Sequence, residues 1–189
     1  MQNKQLLTLD IETSGLIIYN HGIISLSYII DDIDGKELTR GTLEMNPLTY
    51  SKKVSEKALE INGYTLEQIK TLPDAKEQCL AFIKVLNEFS NGEKYKLVAY
   101  NGDFDTSFIK YWMDKLVPST YWKTIDYKHL DPFAIVKYLV WFSEIKTVDG
   151  KESLESIAKH FKIPHNPHDS MSDAEVARTL HYKLSTRIL

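Results

Sequence analysis

A change of hydrophobic period near residue 50 constrains the fold more than any other feature of this sequence. Up to residue 45 the chain alternates, or is rich in β-branched and aromatic residues, as strands require. "KQLLTLDIE" places Leu7, Leu9 and Ile11 on one face and Thr8, Asp10 and Glu12 on the other. "HGIISLSYIID" follows, and "IDGK" is a turn signal before "ELTRGTLEM". Three strands with short connections predict an antiparallel meander. From residue 52 the spacing turns helical. "SKKVSEKALEING" predicts a short helix ended by Asn62-Gly63, and a longer helix follows with Pro73 in its first turn and apolar positions through Phe89. "EKYKLVAYN" reads as a strand, "DFDTSFIKYWMDKL" as a helix and "YWKTIDY" as one more short strand. "DPFAIVKYLVWF", "SLESIAKHF" and "SDAEVARTLHYKL" complete the helices, the last with Val176, Leu180 and Leu184 on one face. This order predicts an α/β domain, a mixed sheet covered by helices.

With 189 residues the chain suffices for one domain over 1–189, in which 143–152 ("SEIKTVDGKE") reads as a surface excursion. A net charge of −3 argues against coating nucleic acid through bulk electrostatics. It leaves open an enzyme that grips a few nucleotides in a local groove. The single cysteine, Cys79, excludes an intramolecular disulfide and a thiolate metal cluster, and its spacing with Leu80, Ile83 and Leu86 is that of helix packing. No apolar run has the length of a signal-peptide core or a membrane span, which makes a cytoplasmic location the expectation.

Three stretches concentrate acids. Asp10 and Glu12 end an apolar strand, where residues two apart share a face with about 6.5–7 Å between Cα atoms. Two converging carboxylates repel unless a cation lies between them. Mg²⁺ and Mn²⁺ favour such oxygen ligands. A sheet edge with two solvated acids is the alternative. In "LVAYNGDFDTSFI", Asn101, Gly102, Asp103 and Asp105 lie between a strand and a helix, where α/β proteins bind ligands. Either aspartate could equally complement the helix dipole. In "PHNPHDSMSDAEVA", Asp173 falls in the first turn of the last helix and His168 on the loop before it, with Ser170 or Ser172 as the expected N-cap.

Taken together, "DIETSGL" (10–16), "YNGDFDTSF" (100–108) and "HDSMSDA" (168–174) resemble the three motifs of the DEDDh, or DnaQ-like, 3′–5′ exonuclease family of the ribonuclease H-like superfamily. Those motifs are D-x-E-T-T/S-G-L, H/Y-N-x-x-F-D-x-x-F and H-x-A-x-x-D-A, and they occur here in order across nearly the whole chain. "KALEINGYT" resembles the segment between the first two. The resemblance implies a ribonuclease H-like mixed β-sheet, a three-stranded antiparallel start plus parallel strands, flanked by helices. It makes Asp105 the second-motif acid and Asp103 a bystander. It implies metal binding by Asp10, Glu12, Asp105 and Asp173. His168, five residues before Asp173, matches the histidine subgroup; Asp169 stands where the sister group has tyrosine. Ser170 departs from the family's alanine.

The resemblance further implies hydrolysis assisted by two divalent cations, Mg²⁺ or Mn²⁺, releasing nucleoside 5′-monophosphates. Glu12 would partner the water-bearing ion. His168 would act as general base, a role that an ordinary histidine pKa of about 6.5 suits. By the same resemblance the backbone around Thr13 and Leu16 contacts the terminal nucleotide, Leu16 and Ile61 pack against its base and Asn62 reaches toward its sugar. Ordinary core is the alternative for Leu16 and Ile61, while Phe104 and Phe108 read as helix packing. Implied partners are single-stranded or frayed 3′ ends of DNA or RNA and a DNA polymerase, with no membrane. Many members of the family dimerise, and no stretch here marks such an interface. Rival readings are a non-catalytic nucleic-acid or protein interaction module on the same fold, and a His-Asp phosphohydrolase prompted by "HDS", His129, His160 and His165. His165-x-x-His168 also suggests a zinc pair, though Asn166-Pro167 breaks any helix that would align it.

Overall fold

The computed structural model describes residues 4–147 and 149–188, with side chains as far as residue 185; Val148, within the 143–152 stretch, lies outside them. Among these residues four strands form one sheet in the order β3-β2-β1-β4. They are β1 (Leu6–Thr13), β2 (Ile23–Asp31), β3 (Glu37–Glu44) and β4 (Lys96–Val98). The pairs β1–β2 and β2–β3 are antiparallel, and β4 lies parallel to β1. The expected meander is therefore present. Strand β2, at its centre, is buried at every position, whereas β3 alternates between half-buried and exposed as an outer strand does.

Leu7, Leu9 and Ile11 of β1 enter the main core with Phe82 and Leu86 of α3 (Ala75–Phe89) and Phe108 and Trp112 of α4 (Asp103–Leu116). Burial of each such side chain contributes about 1.5–3 kcal/mol. Trp112 Nε1 also donates to the Ala75 carbonyl at 3.2 Å, tying α4 to α3. The last helix, α8 (Ser170–Ile188), packs across β1 and β2. A second cluster joins Val136 of α6 (Pro132–Trp141), Ile157 of α7 (Leu154–Phe161) and the predicted α8 face of Val176, Leu180 and Leu184. Helix α8 is pinned to β2 by the fully buried Asp31, which accepts from Arg178 Nε and Nη2 at 2.8 Å each and from the Tyr182 hydroxyl at 2.9 Å. Breaking such a buried pair costs about 3–5 kcal/mol.

Several local expectations need correction. Helix α3 starts at Ala75 with Asp74 as N-cap, so Pro73 precedes the helix instead of entering its first turn. Between α1 (Glu56–Asn62) and α3 lies a further helix, α2 (Leu66–Thr71), opened by a Thr65–Gln68 capping box. "YWKTIDY" begins with the helical turn α5 (Tyr121–Thr124), closed by Thr124, whose amide and hydroxyl both donate to the Thr120 carbonyl. Ile125 then makes a parallel bridge to Tyr95, so among the described residues β4 alone forms a parallel strand, extended by bridges. The 143–152 stretch is not wholly a surface excursion, because Ile145 is buried against Val136. Among the described residues no helix is long and apolar enough to cross a membrane.

Candidate active site

Strand β1 delivers two acids to one place because its period-2 pleat puts Asp10 opposite Ser27 and Glu12 opposite Ser25 on β2. The register shifts between Glu12 and Thr13, and the chain turns out of the sheet into a closed loop over residues 14–22. Ser14 N donates to the Gly22 carbonyl at 2.8 Å, and Gly22 N returns a bond to Ser14 Oγ at 2.9 Å. Gly15 has φ +150°, and a Cβ there would meet the His21 ring at 2.5 Å. His21 Nδ1 accepts the Ile17 amide at 3.0 Å. This bracing holds Leu16 and Ile17 out in solvent, 80% and 54% exposed.

Asp173 arrives from the first turn of α8. Asp10, Glu12 and Asp173 each present an oxygen within 4.8 Å of the others, a group able to hold a metal ion. Asp105, 5% exposed in the first turn of α4, stands close enough for its charge to act on Asp10. Its oxygens are not part of the 4.8 Å group. Asp103 is open to solvent, 3.6 Å from His129 Nε2, and takes no place among the four. Burial is the first cause that drives all four carboxyls upward. Glu12 and Asp105 are pushed up to about 8. Asp10 is raised well above the carboxylate range, with Asp105, Asp173 and Glu12 adding their charge. Asp173 is raised less freely, because hydrogen bonding and charge from His165 oppose burial. Among the described residues, His165 is the one basic side chain ion-paired with any of the four. Converging, partly buried oxygens of one charge and few compensating cations are the donor set that Mg²⁺ or Mn²⁺ fits.

Two histidines approach this cluster. His168 is exposed, has φ +63° and lines a cavity of about 340 Å³ together with Glu12, Asn62 and Tyr64. Its charge acts to lower the Asp173 carboxyl against the effect of burial. His165 has a side chain only 7% exposed, with Nε2 at 2.5 Å from Asp173 Oδ1. Sequence reasoning considered His165 only as a zinc or phosphohydrolase ligand and missed this contact. The one local signal was its place eight residues before the acid, between Pro164 and Pro167. The other histidines of the phosphohydrolase reading lie elsewhere, His129 on Asp103 and His160 Nδ1 on the Lys146 carbonyl. The metal-capable group among the described residues contains no histidine.

Ser170, where alanine was expected, is buried, and its hydroxyl lies 2.9 Å from Ser25 Oγ and 2.8 Å from Ser27 Oγ. Ser27 Oγ continues to Thr42 Oγ1 at 2.8 Å. This hydroxyl chain seats the start of α8 on the sheet. The capping role falls instead to Asp169, whose Oδ1 accepts the Ser172 amide at 2.9 Å. On the opposite side, Asn62 Nδ2 donates to the Thr13 carbonyl at 3.0 Å, and Thr13 Oγ1 donates to the Gly15 carbonyl at 2.9 Å. Ile61, 48% exposed, and Leu16 are not core, so that alternative falls away. Phe108 is buried with its ring 4.9 Å from that of Phe104, as helix packing requires.

The family model described as exonuclease, of RNase T type, matches residues 7–180. Over 176 residues, 93% of this chain, the sequence is 24% identical to the PolC-type DNA polymerase III of Thermotoga petrophila, but it spans only 11% of that protein. Similar solved structures include E. coli exonuclease I in complex with a dT13 oligonucleotide, at TM-score 0.79 and 16% identity over 97% of this chain. The zinc-bound form of the E. coli exonuclease I–single-stranded DNA complex gives TM-score 0.79 and 16% identity over 98%. This chain corresponds to 41% of the exonuclease I chain in both. The likeness is one of fold, a ribonuclease H-like mixed sheet flanked by helices.

Proposed function

Because the chain belongs to the exonuclease family of RNase T type, we propose that it is a DEDDh-type 3′–5′ exonuclease that shortens single-stranded DNA or RNA by one nucleoside 5′-monophosphate at a time. One observation carries this reading: Asp10, Glu12 and Asp173, far apart in sequence, bring oxygens within 4.8 Å of one another in surroundings that hold their carboxyls above the ordinary range. Asp105, outside that group but close enough to act on Asp10, would supply the fourth carboxylate.

Asp10, Glu12, Asp105 and Asp173 would hold two divalent cations, Mg²⁺ or Mn²⁺. When bound, such ions lower the pKa of a water and stabilise charge on the scissile phosphate and leaving oxygen. The residues of the chain supply the rest. His168, on the rim of the cavity that Glu12 lines, takes a proton from the attacking water. The water oxygen bonds to phosphorus, the P–O3′ bond breaks and the 3′ oxygen leaves to be protonated. Thr13, held at its carbonyl by Asn62, presents its backbone to the terminal sugar. The exposed side chains of Leu16 and Ile61 take the faces of the terminal base. Stacking without reading of base edges gives tolerance of sequence. Since the polymerase relative contains a stretch like this chain, a DNA polymerase is the partner class to test first.

The deciding experiment is degradation of a 5′-labelled single strand, as DNA and as RNA, in Mn²⁺, in Mg²⁺ and in EDTA. A metal-dependent ladder shrinking from the 3′ end is the expected result. Folded, metal-loaded protein that cuts neither strand would overturn the reading in favour of a binding module.

A further inference from the structure

The 14–22 loop and the outer face of α4 enclose a groove of about 460 Å³ that no step above uses. Its walls are Tyr19 on the loop side and Ser107, Lys110, Tyr111, Asp114 and Lys115 on α4. The helix that forms one wall of the groove starts at the candidate site. Asp103 and Asp105 occupy the first turn of α4, and Ser107 Oγ bonds back to the Asp103 carbonyl at 2.6 Å. From Ser107 to Lys115 the helix advances about 12 Å away from the acids. That is room for roughly three stacked nucleotides at about 3.4 Å each.

The chemistry of the groove differs from that of the chain as a whole. The protein carries a net charge of −3. Yet Lys110 and Lys115 stand in this one groove, and the exposed Lys52 and Lys53 are fixed to the same loop through their amides, which donate to the Asn20 carbonyl at 2.9 and 2.8 Å. Among the described residues Asp114 is the one acid in the wall, 3.7 Å from Lys110. The aromatic part is built as well. Tyr19 is 65% exposed and meets the Tyr111 ring edge-on, centroids 5.4 Å apart at 90°. Lys115 Nζ lies 2.9 Å from the Tyr111 hydroxyl, so the ring that supports Tyr19 is itself held. An exposed aromatic ring on a rigid support, flanked by lysines, is the pairing that binds single strands without regard to sequence.

We propose that this groove is the track for the single strand upstream of the terminal nucleotide, with a base stacked on Tyr19 and phosphates on Lys110 and Lys115. The inference rests on the exonuclease reading for the direction of the strand, and adds to it a basis for preferring longer substrates. The same 14–22 loop carries the exposed Leu16 and Ile17 and, three residues beyond Leu16, the exposed Tyr19.

The test compares a dinucleotide with a 5′-labelled dT20, using wild type, Tyr19→Ala, Tyr19→Phe and the Lys110→Ala/Lys115→Ala double variant. For dT20 we expect KM to rise about five- to tenfold in Tyr19→Ala and in the double variant, with kcat unchanged and Tyr19→Phe close to wild type. Dinucleotide turnover stays at the wild-type level in all of them. In EDTA, fluorescence anisotropy of labelled dT20 should show the salt dependence of binding reduced by about 1.4 in log–log slope in the double variant, two phosphates at about 0.7 each. Asp114→Asn should tighten binding of dT20. Unchanged KM for dT20, or a parallel loss on the dinucleotide, overturns the inference. If wild type cuts neither substrate but binds dT20 through Tyr19 and the lysines, the track stands and the hydrolytic reading falls. If it binds no strand at all, the track falls too.

Discussion

His165 Nε2 lies 2.5 Å from Asp173 Oδ1, while its other ring nitrogen, Nδ1, is buried without a hydrogen-bond partner among the described residues. The contact holds the carboxylate of Asp173 in place beside Asp10 and Glu12. Groups that orient a metal-binding carboxylate in this way are typically worth 10–100-fold in metal affinity or activity. His165→Ala should therefore weaken Mn²⁺ binding about tenfold by calorimetric titration, and His165→Gln should recover part of the loss. Equal affinity in His165→Ala and wild type would show that Asp173 needs no such support.

A pH dependence follows from the acids. Burial pushes Glu12 and Asp105 up to about 8, whereas the unfolded glutamate titrates near 4.5. Between those values the metal-free fold keeps protons that the unfolded chain has released. Its stability is then full below about 4.5 and is lost as pH rises through 8. Glu12→Gln removes this loss for one group. In EDTA its Tm should exceed that of wild type by several degrees at pH 8 and by little at pH 5, at about 2–4 °C per kcal/mol. Mn²⁺ binding should release protons at pH 7, detectable by calorimetry in buffers of different ionisation enthalpy. A wild-type Tm that is flat from pH 5 to 8 in EDTA would contradict the assignment.

Gly15 is the hinge between the acid strand and the exposed Leu16. With φ +150° and the His21 ring 2.5 Å from any added Cβ, the position has neither the conformation nor the space for a side chain. Gly15→Ala should cost about 1–3 kcal/mol in urea denaturation. It should also raise KM for a single strand, because His21 no longer holds the Ile17 amide. A variant with wild-type KM and denaturation midpoint would mean that the loop relaxes freely.

What the sequence made legible was local. Asp10 and Glu12 share a face because a strand has period 2, and Asp105 and Asp173 fall in first helical turns because capping and apolar spacing mark those turns. Their convergence was legible only through the ordered motifs, since no periodicity relates residue 12 to residue 173. The His165–Asp173 contact and the Ser25–Ser170–Ser27 chain join segments far apart or on a proline-bounded loop, and no sequence rule supplies them. Helix α2 was readable in principle from Thr65 and Gln68, but its six residues are too few for a hydrophobic period. "YWKTIDY" offered strand-forming residues, and the burial of Tyr121 in a helical turn overrode them.

The serine at 170 separates positioning from proton transfer. Its hydroxyl bonds both Ser25 and Ser27, two residues beyond His168 and three before Asp173. Ser170→Ala removes both bonds, though Ser27 keeps Thr42, so the expected cost is about 1 kcal/mol. A small shift of the α8 start should lower kcat less than tenfold and leave the shape of the pH–rate profile intact. His168→Ala, by contrast, should lose about 10²–10⁴-fold in kcat and the acidic limb of that profile, while retaining Mn²⁺ affinity. The two variants compared across pH 5–9 distinguish the roles. If Ser170→Ala abolished the acidic limb, or His168→Ala kept it, the general base would have to be sought in another group beside Asp173, and His165 would be the first to examine.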